Sequence, residues 1–455
     1  MSRPAILGGE PVRSAPFLPR KTMGEAEKRA AMEVLDSDVL SAFLGSSGKF
    51  FLGGEKVRAF EDAWKERYGF KHCITVNSWT TGLMVAFGAL GVEPGDEVIC
   101  PPYTMSASAT AAMFYGGVPI FADIEASTLC LDPEDFEAKI TPRTKAVVVV
   151  HLLGRPASMD PICAIAKRHG IAVVEDAAQA PGVFYRGRPV GTIGEVGGFS
   201  LNFHKHIHCG EGGVIVSDDD AIARASQLIR NHGENALSEE EIGHFANPIG
   251  SNYRLTELQA AIGIAQLGRL EGYLSTRQHL AEHLTRRLEQ RPGLTLQSVE
   301  PGSTHAYYVY PIRYDAETCG LSRSMFVRAV AAELPSPKGF ESMPLAAGYV
   351  KPLYLNPVYQ NKRALGRGGY PWAFNPDIEY TYSAGDCPVA ERMYEEELVL
   401  SPLVREPHTT SDIDDFADAI EKVLDNAALI AKEASHLDDG QVLTPVDAAN
   451  ATNTT

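Results

Sequence analysis

The sequence predicts an α/β protein: a large domain on a mostly parallel sheet, followed by a smaller C-terminal α/β domain. Two observations carry this. Between residues 72 and 174, short apolar runs alternate with stretches whose apolar residues recur at helical spacing, as in successive βαβ units. Beyond Pro292 the texture changes to a strand, shorter helical patterns and a long loop rich in Pro, Gly and Tyr. The length agrees, since 455 residues exceed one ordinary domain.

Taken in order, residues 1–50 read as an N-terminal arm, with a helical stretch at 24–36 and a Gly-rich segment at 45–54. Val57, Phe60, Trp64 and Tyr68 recur near every 3.6 residues and predict an amphipathic helix over 55–68. Strands are then expected at 72–76, 97–100, 118–122, 146–152 and 171–174. The helices between them are expected at 80–90, 106–115, 133–140 and 161–169. Strands at 196–201 and 213–217 flank a loop rich in His and Gly, and a long helical pattern covers 256–290. The smaller domain offers a strand at 307–312, helices at 322–333, 388–397 and 412–424, and a loop over 343–380. The expected limits are 1–50 for the arm, 51–270 for the large domain and 271–430 for the small one. Residues 431–455 are small and polar and read as a tail.

Composition narrows the function. Apolar residues make up 44% and charged residues 22%, which excludes global disorder. Acidic groups outnumber basic ones, 58 to 41, for a net charge of −17. So acidic a chain is a poor general binder of nucleic acid or anionic membrane, because that binding needs clustered Lys and Arg. A single local anion site is still compatible. The N-terminus lacks a signal-like apolar stretch, and the most apolar run, 146–153, is too short to cross a bilayer. Seven scattered cysteines, odd in number and without C-x-x-C, predict reduced thiols and a cytoplasmic location.

Three segments carry chemistry. The strand 171–174 runs into Glu175-Asp176, and an acid at the carboxyl end of a parallel strand sits where open α/β sheets bind ligands. Alone, Asp176 also reads as a strand-end cap or ion-pair partner. Lys205 lies between the apolar, aromatic run Phe199-Ser-Leu-Asn-Phe203 and a Gly-rich turn ending Gly-Glu-Gly-Gly213. An isolated lysine is ordinarily a solvated surface residue. In a cleft, its pKa can fall and it can form a Schiff base. The third segment, Asn77-Ser-Trp-Thr-Thr-Gly82, joins the first strand to the first helix of the large domain. Backbone N–H groups and hydroxyls at a helix N-terminus form an anion site, or an ordinary cap.

The order of these segments resembles the pyridoxal-phosphate (PLP)-dependent sugar aminotransferases of the DegT/StrS group, especially those acting on keto sugars and inososes. Matching stretches include Gly95-Asp-Glu-Val98, Pro101-Pro-Tyr-Thr104, Ile140-Thr-Pro-Arg-Thr-Lys145, Asn231-His-Gly233 and Ser251-Asn-Tyr-Arg-Leu-Thr-Glu-Leu-Gln-Ala-Ala-Ile-Gly263. The opening Ala5-Ile-Leu-Gly-Gly-Glu-Pro-Val-Arg13 is similar to the arm of inosose aminotransferases. The resemblance implies a fold-type I, aspartate-aminotransferase-like architecture and a homodimer with shared active sites. It implies Lys205 as the Schiff-base lysine and Asp176 as partner of the pyridinium nitrogen. Gln179 would lie near the ring hydroxyl. Ser78, Trp79, Thr80 and Ser200 would surround the phosphate, and Asn252 would reach the phosphate in the neighbouring subunit. Two departures stand out. Trp79 replaces a common Gly, and Met105 occupies a position usually held by an aromatic residue that stacks on the ring.

The implied reaction moves an amino group from glutamate or glutamine to a keto sugar or keto cyclitol by a ping-pong Schiff-base route, in amino-sugar or aminocyclitol biosynthesis. Alternatives in the same fold are a sugar dehydratase, in which the lysine is replaced by histidine, and a catalytically idle PLP-binding regulator. Both lose residues that are present here. His204, His206 and His208 alternate around Lys205 and would share one face of an extended segment. No carboxylate or thiol completes a familiar metal spacing there, so pocket lining or packing is expected, and no metal.

Overall fold

The computed structural model describes residues 2–239, 241–335 and 343–433. Apart from its first residues, 431–433, the tail expected at 431–455 lies outside the described residues.

The large sheet forms where the sequence places its apolar runs. Its strands are β1 (His72–Val76), β2 (Glu97–Cys100), β3 (Val118–Phe121), β4 (Thr144–Val150) and β5 (Ala172–Asp176). After a small hairpin, β6 (Phe184–Tyr185) with β7 (Arg188–Pro189), come β8 (Val196–Ser200) and β9 (Gly213–Ser217). The spatial order is β1-β9-β8-β5-β4-β2-β3. The pairs from β8 through β3 are parallel, and β9 runs antiparallel to both β1 and β8. Residues Ala146 to Val150 in β4 are buried, since helices cover both faces of a parallel sheet, and only a continuous apolar run suits that position.

The flanking helices are α1 (Glu25–Ser37), α2 (Glu55–Tyr68), α3 (Trp79–Ala89), α4 (Ala107–Met113), α5 (Pro133–Ala138), α6 (Met159–His169), α7 (Asp220–Arg230), α8 (Glu257–Leu267) and α9 (Leu270–Leu288). In α2, Val57, Phe60 and Trp64 are buried, as the helical spacing requires. The long pattern over 256–290 is two helices rather than one. The break falls at Gly268, a poor helix former, and the next residue, Arg269, turns its guanidinium to the Thr22 carbonyl at 2.6 Å.

A second, antiparallel sheet follows: β10 (Leu294–Leu296), β11 (Tyr310–Tyr314), β12 (Ala346–Ala347) and β13 (Leu398–Ser401), in the order β10-β11-β13-β12. Phe326 and Val330 from the helix Arg323–Glu333 pack with Phe416 and Ile420 from Thr410–Asp425 in a second apolar core. Phe17 of the N-terminal segment enters this core, whereas Phe43 enters the core of the large sheet. The 343–380 segment has only short helical turns besides β12. Its Tyr354 and Tyr359 close on Phe121 at the end of β3, with ring centroids 5.7 and 5.1 Å away. The last described residues, Ala427–Glu433, are helical.

Candidate active site

The parallel strands all point one way, so their carboxyl ends and the following loops share one edge of the sheet. Asp176 ends β5, Ser200 ends β8, and only two residues separate the end of β1 from the start of α3. Because β1 is antiparallel to β9 and β9 to β8, β1 ends at the same edge. A cleft of about 190 Å³ lies there, lined by Ser78, Trp79, Thr80, Asp176, Ser200 and Lys205, among others. Met105 and Gln179 also line it.

Lys205 is only 8% exposed. Burial pushes its ammonium pKa down to about 8, against the opposing pull of the Asp176 charge. Its Nζ lies 4.7 Å from the centre of the Tyr308 ring, a cation–π contact. The 201–212 segment is a series of turns, not the extended strand that the alternating histidines suggest. Arg20 ties those turns from the N-terminal segment: its guanidinium donates to the Lys205 and His206 carbonyls at 2.9 and 2.8 Å. The three histidines consequently diverge. His204 lines the cleft, and burial lowers its pKa to about 4. His206 Nε2 pairs with the Ala306 carbonyl at 2.9 Å, and His208 Nε2 with Thr22 Oγ1 at 2.6 Å. Among the described residues no group of three His, Cys, Asp or Glu could hold a metal ion.

The Asp176 carboxylate is held from two sides. Trp79 Nε1 donates to Oδ1 and Ser108 Oγ to Oδ2, both at 2.8 Å, and the Ala178 N–H adds 3.2 Å to Oδ1. All three donors are neutral. Ser78 caps α3, accepting from the Thr81 N–H at 3.2 Å. The N–H groups of Trp79 and Thr80 are the first of the helix, have no intrahelical acceptor, and sit at its positive end. Ser200 is buried, and its hydroxyl accepts from the Asn202 N–H at 3.3 Å. Gln179 is occupied at both ends, by the Leu153 N–H at 2.7 Å and the Tyr349 hydroxyl at 2.9 Å. Met105 is 59% exposed at the mouth. Asn252 is absent from this cleft. Its side chain accepts from Arg254 Nε at 2.8 Å at an exposed position.

The sequence pattern of the DegT/DnrJ/EryC1/StrS aminotransferase family matches residues 36–421. The chain belongs to that family. This aminotransferase is 36% identical over 393 residues to L-glutamine:scyllo-inosose aminotransferase of Streptomyces griseus, covering 82% of this chain and 87% of the relative. It is 35% identical over 447 residues to L-glutamine:2-deoxy-scyllo-inosose aminotransferase of Streptomyces kanamyceticus, covering 94% and 99%. Among solved structures, the aminotransferase from Psychrobacter cryohalolentis superposes with a TM-score of 0.75 at 28% identity, covering 91% of this chain and all of that one. The fold-type I architecture follows from this likeness and from the mixed sheet.

Several residues of the aminotransferase cleft have no local signal in the sequence. Tyr308 and Tyr349 arrive from segments more than 100 residues beyond Lys205, and Arg20, which holds the backbone of the Lys205 turn, comes from the N-terminal segment. Ser108 was closer to legible. It lies four residues after Thr104, and the two hydroxyls lie 3.2 Å apart.

Proposed function

We propose that the cleft binds pyridoxal 5'-phosphate, and that the enzyme moves an amino group from glutamate or glutamine to a keto sugar or keto cyclitol. The observation that carries this reading is a buried lysine and a buried carboxylate in one cleft, beside a helix N-terminus. The donor set suits the cofactor. The α3 N–H groups with Thr80 and Ser200 offer hydrogen bonds to a phosphate. The groups that donate hydrogen bonds to Asp176 are neutral, so its carboxylate would suit a protonated ring nitrogen as a charged partner. Met105 would offer a thioether to the ring at the position where aromatic stacking is common, and Gln179 braces Tyr349, which also lines the cleft.

Once bound, the cofactor supplies an electron sink for the carbon that gains or loses nitrogen. Lys205 supplies the base. With its pKa near 8 a useful fraction of its amine is neutral at physiological pH, and the amine carries a proton to and from the reacting carbon. The Tyr308 ring holds Lys205 toward the cleft, and Arg20 fixes the backbone beneath it. The acceptor assignment rests on the two inosose relatives. Asn252 serves the site of a second copy, which explains its absence from its own cleft, and a homodimer follows. The division into an arm over 1–50, a large domain over 51–270 and a small domain over 271–430 accords with two separate sheets. Seven cysteines without a disulfide favour a cytoplasmic protein. No helix among the described residues is long and apolar enough to cross a membrane.

Lys205→Ala tests the reading. The variant should fold, should still take up the cofactor through phosphate and ring contacts, and should lose turnover. A purified variant that retains the visible cofactor absorbance and full activity would overturn the assignment.

A further inference from the structure

We propose that Trp79 is a positioning residue, which fixes the Asp176 carboxylate through its indole N–H while its backbone serves the phosphate end of the same cleft. The inference rests on the cofactor reading above, but its first test does not.

Four observations lead to it. Trp79 is the first residue of α3, and yet its side chain is only 4% exposed. Trp79 lines the cleft, and its indole fills a slot made by glycines. A Cβ on Gly198 would stand 2.1 Å from Trp79 Cζ3, and one on Gly82 would stand 2.5 Å from Cε3. Gly198 lies in β8, whereas Gly82 is three residues along α3, so two elements give up side-chain volume to admit one ring. The ring ends with Nε1 at 2.8 Å from Asp176 Oδ1, and the Ser108 hydroxyl takes the other oxygen. A donor on a rigid, tightly packed ring fixes the direction of its bond in a way that a hydroxyl rotor cannot.

The consequence is geometric coupling. A ligand held at one end by the α3 N–H groups and at the other by Asp176 meets two contacts whose separation is set by one residue. A small residue at this position would keep the backbone contact but leave Oδ1 with the Ala178 N–H alone, at 3.2 Å.

Trp79→Phe keeps an aromatic ring in the slot and removes the N–H together with the rest of the five-membered ring, so the loss is read in two backgrounds. In the cofactor-free protein, 15N-tryptophan labelling gives three indole resonances, one for each tryptophan in the chain. The resonance lost in Trp79→Phe is that of Trp79. Asp176→Asn should move that resonance upfield and leave the other two in place. A Trp79 resonance unmoved by Asp176→Asn overturns the proposal.

The second measurement uses the dissociation constant for pyridoxal 5'-phosphate. Losing a hydrogen bond to a charged group changes an equilibrium by about tenfold to a hundredfold. Trp79→Phe should therefore weaken binding by at least about tenfold in the wild-type background and by less than about twofold in the Asp176→Asn background. An equal loss in both backgrounds would assign Trp79 a packing role and overturn the proposal. If wild-type protein shows no saturable binding, the cofactor reading fails instead, and the indole resonance still decides whether Trp79 holds Asp176.

Discussion

Lys205 shows how a single side chain acquires its chemistry from its surroundings. An exposed lysine holds its proton until about pH 10.4. Burial beneath Tyr308 removes water from the ammonium, and the Asp176 charge opposes that effect. Burial wins, and the pKa falls to about 8. Because the neutral amine is the reactive form, reactivity must rise with pH and level off above that value. Labelling of Lys205 in the cofactor-free protein by an amine-specific reagent, read by peptide mass spectrometry, should climb about tenfold per unit below pH 8 and flatten above it. An inflection near pH 10 would show a solvated lysine. Asp176 and Lys205 were legible in the sequence because each lies in a short contiguous motif at the end of an apolar strand. Tyr308, Tyr349 and Arg20 were not. The two tyrosines reach the cleft, and Arg20 the backbone of the Lys205 turn, from distant segments, and no spacing rule connects residues that meet only through the fold.

At the scale of elements, β8 and α3 are matched to one another. The sequence Val196-Gly-Gly-Phe-Ser200 is a poor strand by propensity, since glycine weakens a strand interior. It is used because a large ring must pass beneath it. Gly198→Ala should therefore destabilise the protein by about 1–3 kcal/mol, the ordinary cost of overpacking, because its Cβ would meet Trp79 at 2.1 Å and the Val214 carbonyl at 2.2 Å. Gly272 offers the contrast. It is the third residue of α9, with nothing within 4 Å of an added Cβ, so Gly272→Ala should stabilise by about 0.4–1 kcal/mol. Urea midpoints of the two variants should move in opposite directions, and a stable Gly198→Ala would mean that the slot is loose. Long periodic elements such as α2 were readable from spacing alone. Strands β10, β12 and β13 have two to four residues each, too few for an alternation to show. The histidines at 204, 206 and 208 alternate in a segment that turns, so their periodicity was no guide to a shared face.

For the whole molecule, the separation of Asn252 from its own cleft has a functional consequence under the proposed dimer. Each site would draw Lys205, Asp176 and Ser200 from one chain and Asn252 from the other. Mixing Lys205→Ala with Asn252→Ala chains places both lesions in one site of each heterodimer and neither in the other. Activity should reappear on mixing, and mixed dimers as inactive as their parents would show that the site does not cross the interface. The arrangement also makes one cleft serve donor and acceptor in turn, so each half of the reaction should be observable separately. The most direct measurement is the visible absorbance of the protein loaded with pyridoxal 5'-phosphate. It should fall when glutamine or glutamate is added alone, and return when scyllo-inosose or 2-deoxy-scyllo-inosose is then supplied. Absorbance that responds to neither donor would contradict transfer of an amino group through this cleft.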